Sequence, residues 1–209
     1  MYEVARLLDF VPGPEGTELK LLVPRVNLME PIITKEITEC GIWLDDGRQI
    51  SAAQRKKIFA MFNDISEWTG YSPKETHEVM KYEYIKYMGC PEFSLSDCSM
   101  DFARDFISFL LDHALAYGMW LSDVGINRTD DINRYLYSCL KHKRCCVCGK
   151  AGETHHEDAI GMGNNRKKLD DSKHRKICLC RTEHTEAHTI GMTAFSEKYK
   201  VYGIIFNDN

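Results

Sequence analysis

The sequence predicts an α+β protein. A mainly helical N-terminal domain with a small strand region spans residues 1–140, and a Cys/His-rich module spans 141–209. Three observations predict this. Two apolar runs flank a Pro/Gly-rich turn near the N-terminus, capped runs of helix-spaced apolar residues fill 51–140, and composition shifts to Cys, His, Gly and basic residues from Lys141. A chain of 209 residues suits one large domain or two small ones.

Val4 to Phe10 and Thr17 to Val23 flank Pro12-Gly13-Pro14-Glu15-Gly16, a hairpin with a longer loop. Gly41-Ile42-Trp43-Leu44 reads as a strand entering a turn at Asp45-Asp46-Gly47, with Arg48-Gln49-Ile50 after it. Ser51 caps a helix to about Thr69 with Ile58, Met61, Phe62, Ile65 and Trp68 on one face and Gly70 as its stop. Ser72-Pro73-Lys74-Glu75 combines a capping box with proline at the first helical position and opens a helix closed by Gly89. Asp97 or Ser96 caps a third helix to Tyr117, stopped by Gly118, with Phe102, Phe106, Phe109, Leu110 and Ala114 inward. Thr129-Asp130-Asp131 starts a fourth, ending near Leu140. Aromatic residues at helical spacing are read as core, and Cys40, Cys90, Cys98 and Cys139 as small buried thiols.

Hydrophobic content of 44% against 28% charged residues excludes a wholly disordered chain. No apolar run approaches the roughly 18–20 residues of a membrane span. The N-terminus lacks a basic segment followed by an apolar one, so no secretory signal is expected and the cytoplasm is the expected location. In that reducing setting clustered thiols read as metal ligands rather than disulfides. Five of nine cysteines and six of eight histidines lie between 142 and 188. Net charge is −4, yet 141–188 holds 11 Lys/Arg against 7 Asp/Glu, leaving 16 against 24 elsewhere. The metal-rich segment is therefore the basic one and suits a polyanionic partner.

Within that segment, Cys145 and Cys148 stand at the spacing that lets two thiolates grip one tetrahedral zinc, with Gly149 relieving the turn. Cys178 and Cys180, two apart, share a face if on a strand, and one or both complete the site. His184 and His188, four apart, share a helix face and can hold one divalent ion. His155 and His156 point to opposite sides of a strand, which suits one as ligand and one as proton acceptor.

The segment 145–190 resembles the HNH endonucleases, whose core is a hairpin and a helix around one catalytic metal, the ββα-metal fold. The residues that carry the resemblance are Cys145-x-x-Cys148, His155-His156, Leu179-Cys180-Arg181-Thr182-Glu183-His184 and His188, with Gly161-Met162-Gly163 and Glu186-Ala187-His188-Thr189-Ile190-Gly191 as in phage and prophage members. More faintly, residues 50–120 resemble the NinB (Orf) recombination mediators, which bind DNA; Gln54 through Ile65 and Phe93 through Leu110 carry this.

The resemblance implies a zinc-bearing HNH module over 141–209. His155, His184 and His188 match the ligands of the catalytic ion, and His156 the general base. His174 is the choice for the middle residue, with Asn164 and Asn165 as alternatives. Cys145, Cys148, Cys178 and Cys180 are the expected ligands of a structural zinc. Glu183 occupies the position where the family carries Cys or His, so Glu183 and Cys178 compete for the fourth place. The catalytic ion would be Mg²⁺, Mn²⁺ or Ni²⁺, with Zn²⁺ able to take the site, and an imidazole-rich set disfavours Mg²⁺. Lys141, Lys143, Arg144, Arg166, Lys167, Lys168, Arg175 and Lys176 are the expected phosphate contacts on DNA. The activity implied is hydrolysis of DNA phosphodiester bonds in phage recombination, replication or processing, leaving 5′-phosphate and 3′-hydroxyl ends. Phage or host recombination proteins are expected partners, and a homodimer is left open. Two other readings are a non-catalytic, zinc-stabilised DNA-binding mediator, which leaves the His155-His156 pair idle, and a zinc module for protein contacts, which does not explain the basic bias.

Overall fold

The computed structural model describes residues 5–24, 26–40, 42, 46–157 and 173–206. The chain forms two compact units, residues 1–46 with 85–92 and residues 47–84 with 93–209.

In the first unit, β1 (Arg6–Gly13) pairs antiparallel with β2 (Gly16–Leu22). Gly13 pairs with Gly16, so the turn is the two residues Pro14 and Glu15, tighter than the longer loop expected. Leu7, Leu8, Phe10 and Val11 are exposed. A short helix that the sequence did not announce, α1 (Met29–Thr34), follows. Pro31 lies in its first turn, where a missing N–H costs little. Of the strand and turn expected over 41–47, Gly41, Trp43, Leu44 and Asp45 lie outside the described residues, and Ile42 is in no strand.

The second unit opens with an isolated bridge between Gln49 and Ser99. Helix α2 (Ala52–Thr69) begins as expected: Ser51 Oγ accepts from Gln54 N, Gln54 Oε1 accepts from Ser51 N, and Gly70 ends the helix in the left-handed conformation. It buries Ile58, Met61, Phe62 and Ile65 but leaves Trp68 51% exposed. Helix α3 (Pro73–Met88) carries the reciprocal Ser72–Glu75 cap. Helix α4 (Met100–Tyr117) is capped by Ser99, not by Asp97 or Ser96. The bridge to Gln49 holds Ser99 extended, and Ser96 is instead turned locally onto Ser94. Phe62, Tyr84, Phe93, Phe102, Phe106 and Phe109 pack largely edge to face, which makes them core.

A four-residue helix, α5 (Gly125–Arg128), precedes α6 (Ile132–Lys141), whose cap is Asp131 accepting from Arg134 N. Then come β3 (Glu153–His156), β4 (Arg175–Leu179), α7 (Arg181–Ile190), α8 (Met192–Tyr199) and β5 (Ile204–Ile205). Strand β4 is central, antiparallel to β3 and to β5. Helix α6 packs on β4, so the compositional shift near 140 falls inside this unit. Cys90 and Cys139 are buried as expected and Cys98 is half-buried, whereas Cys40 is exposed.

No described helix is long and apolar enough to cross a membrane.

Candidate metal centre

The chain enters the Cys/His segment from α6 through a tight knuckle. Cys145 N donates to Lys150 O at 2.7 Å, Gly149 N donates to Cys145 O at 2.8 Å, and Gly149 takes φ +72° to close the turn. Cys146 N donates to Cys178 O, and Tyr135 Oη donates to Cys146 O at 3.0 Å, which ties the knuckle to β4 and to α6. Beyond the knuckle, β3 and β4 pair with His155 opposite Ile177 and His156 opposite Lys176. Cys180 then caps α7, and His184 N donates back to Cys180 O.

This framework brings together two groups of donor atoms, each group lying within 4.8 Å. One is Cys145, Cys148, Cys180 and Glu183. Cys148 Sγ and Cys180 Sγ are 3.7 Å apart, and Glu183 Oε2 lies against Cys180 Sγ. Two thiolates on a tetrahedral zinc, each at about 2.3 Å, are separated by about 3.8 Å, so the spacing fits. Burial pushes the Cys145 and Cys148 thiols up, so uptake of a metal there must displace protons. Cys178 is not in this group. Its thiol is buried behind Gly152, where a Cβ would come within 2.9 Å of it, and burial pushes it up to about 12. The strand ends at Leu179, so the alternation expected to place Cys178 and Cys180 together does not extend to Cys180.

The second group is His155, His184 and His188. His155 from the hairpin faces both imidazoles of α7, with ring centroids 4.6 and 5.0 Å away. His184 Nε2 and His188 Nε2 are 3.1 Å apart, close to the roughly 3.3 Å edge that two nitrogens about 2.0 Å from one tetrahedral zinc would make. Burial first, then the neighbouring His184, His188 and His156, hold His155 down to about 4. Burial and His188 also lower His184. His155 is therefore a neutral donor at pH 7, as a metal requires.

His156 is half-buried, and its ring centroid lies 6.3 Å from that of His174 at the entry to β4. Asn164 and Asn165 lie outside the described residues, as do Arg166, Lys167 and Lys168. Lys143 is exposed and reaches Thr154 Oγ1, and Arg175 is exposed. Arg144 is turned inward, its Nε donating to Leu115 O. Lys141 lies 3.6 Å from Asp112. Lys176 corrects the sequence reading: it is 6% exposed and donates to Phe206 O at 3.0 Å, so burial removes it from a phosphate-contacting surface. Sequence reasoning missed Tyr135 and Gly152 as supports of the knuckle. A lone glycine before a strand was the one available signal, and Tyr135 carries none.

A hairpin followed by a helix brings three imidazoles together beside a three-thiol, one-carboxylate group, and each group could hold a metal ion. Residues 21–208 match the family described as "Putative HNHc nuclease", and the chain belongs to that family. Neither the curated proteins nor the solved structures contain a match to it. Membership supports a nuclease, a hydrolase in general terms, with nucleic acid as its substrate class.

Proposed function

We propose that the protein is a metal-dependent DNA endonuclease, with the chemistry carried by residues 141–209 and DNA handling aided by 1–140. The observation that supports this most is the convergence of His155, His184 and His188 from strand and helix, with His156 one residue away and directed to the other side of β3. His155, His184 and His188 would hold one divalent ion. When bound, that ion supplies a Lewis acid for the charge developing on phosphate, and an all-imidazole set suits Mn²⁺, Ni²⁺ or Zn²⁺ better than Mg²⁺.

His156 accepts a proton from water at a ring nitrogen, the general-base role that an imidazole fills in phosphodiester hydrolysis. The water oxygen bonds to phosphorus, the bond from phosphorus to the 3′ oxygen breaks, and that oxygen takes a proton from solvent while His156 returns its own to solvent. The ends are a 5′-phosphate and a 3′-hydroxyl. His174 serves as the middle residue beside His156, and Lys143 and Arg175 receive the backbone phosphates. Cys145, Cys148, Cys180 and Glu183 hold a structural zinc, the geometry favouring Glu183 over Cys178 as the fourth ligand. The upstream likeness to recombination mediators supports a place in phage DNA recombination, replication or processing.

The test is incubation of the purified chain with plasmid, branched and single-stranded DNA in Mg²⁺ or Mn²⁺. Metal-dependent cutting of at least one substrate, abolished by EDTA, is expected. Binding without cutting under every condition would replace this reading with the non-catalytic DNA-binding module.

A further inference from the structure

Helices α2 and α4 end side by side, and the rings of Trp68 and Tyr117 lie 6.4 Å apart across the two ends. Asp64, Glu67, Trp68 and Trp120 line a cleft there of about 220 Å³. Its aromatic rim is not core: Trp68 is 51%, Tyr117 62% and Trp120 69% exposed. Two indoles in water flanking one cleft form a surface of the kind that binds.

Charge and size select the occupant. Asp64 is buried and answered by Arg128 at 3.5 Å, while Glu67 is exposed at the cleft with no basic residue in the lining. Helix α2 turns its C-terminal, electronegative end this way, whereas that of α4 is met by Arg144, whose Nε donates to Leu115 O. Glu67 therefore supplies the cleft with a carboxylate that a cation can meet. The volume lies below the roughly 300–1,000 Å³ of sites for drug-sized molecules and suits one side chain. A planar guanidinium stacks on indole faces while donating to a carboxylate.

We infer that this cleft is a docking site for a protein partner, anchored by one arginine side chain held against Trp68 and Trp120 and paired with Glu67. The cleft shares no lining residue with the histidine and cysteine groups, and the proposal does not depend on the nuclease reading.

The test uses the full chain and two capped tripeptides, Gly-Arg-Gly and its citrulline counterpart, which keeps the shape and removes the charge. The arginine peptide should shift the indole N–H resonances of Trp68 and Trp120, and the citrulline peptide should bind about fivefold or more weaker. Glu67→Gln and Trp120→Ala, both at exposed positions, should each weaken the arginine peptide by a similar factor while leaving the remaining amide spectrum in place. Equal binding of the two peptides, or no shift, would overturn the proposal. So would a larger response of the same resonances to oligothymidine, which would make the indoles a base-stacking platform instead.

Discussion

His155 and His156 differ by one position, and a strand turns that single step into two opposite directions. His155 is buried against His184 and His188, where low proton affinity keeps its lone pair available. His184→Ala removes one of three nitrogen donors, so calorimetric titration should show weaker Mn²⁺ binding, with partial recovery of any activity at high Mn²⁺. Gly152 acts by having no side chain. A Cβ there would meet Cys178 Sγ at 2.9 Å and the backbone of Leu179 at 3.0 Å. The backbone cannot give way as a flexible side chain can, so Gly152→Ala should cost about 1–3 kcal/mol, read from urea unfolding.

Helices α4 and α6 are clasped at Asp112, whose Oδ1 accepts from Ser138 Oγ at 2.8 Å and meets His142 Nε2 at 2.9 Å. Burial raises the Asp112 pKa, but the hydrogen bonds from Ser138 and His142 and the charges of His142 and Lys141 outweigh it, leaving the carboxyl below its ordinary value of 3.8. A lowered pKa contributes stability above that value and loses it as pH falls through the folded value. The carboxylate is 36% exposed, so water screens it. Asp112→Asn should therefore cost only about 1 kcal/mol at pH 7, and the difference from wild type should close in acid. Elements with local signals were legible in the sequence: Ser51 and Gly70 bound α2, the Ser72–Glu75 box opens α3, and the spacing of His184 and His188 marks α7. Elements made by tertiary contact were not. Strand β5 is two residues pairing with β4, α5 is one turn, and the α4 cap moved to Ser99 because a distant bridge claims it. Trp68 falls on the apolar period of α2, but its neighbour at the end of α4 is the likewise exposed Tyr117, which leaves it uncovered, a fact no periodicity contains.

At the scale of the molecule, the histidines and thiols that converge were legible because ligand spacing is local. The choice between Glu183 and Cys178 was not, because it depends on where β4 ends. The second unit joins the helices to the Cys/His segment through α6 on β4 and the Tyr135–Cys146 hydrogen bond. Loss of a structural zinc should therefore spread beyond the knuckle. In hydrogen exchange, chelation should lower protection in α6 as well as in 145–148 and 175–190, since structural zinc supplies folding free energy. The central claim is that this unit cuts DNA with His156 as the proton acceptor. The most direct measurement is single-turnover cleavage by His156→Ala at saturating Mn²⁺, with metal content and DNA affinity measured alongside. The account predicts a rate lower by about 10²–10⁴-fold with both bindings unchanged. Cleavage at the wild-type rate would contradict it.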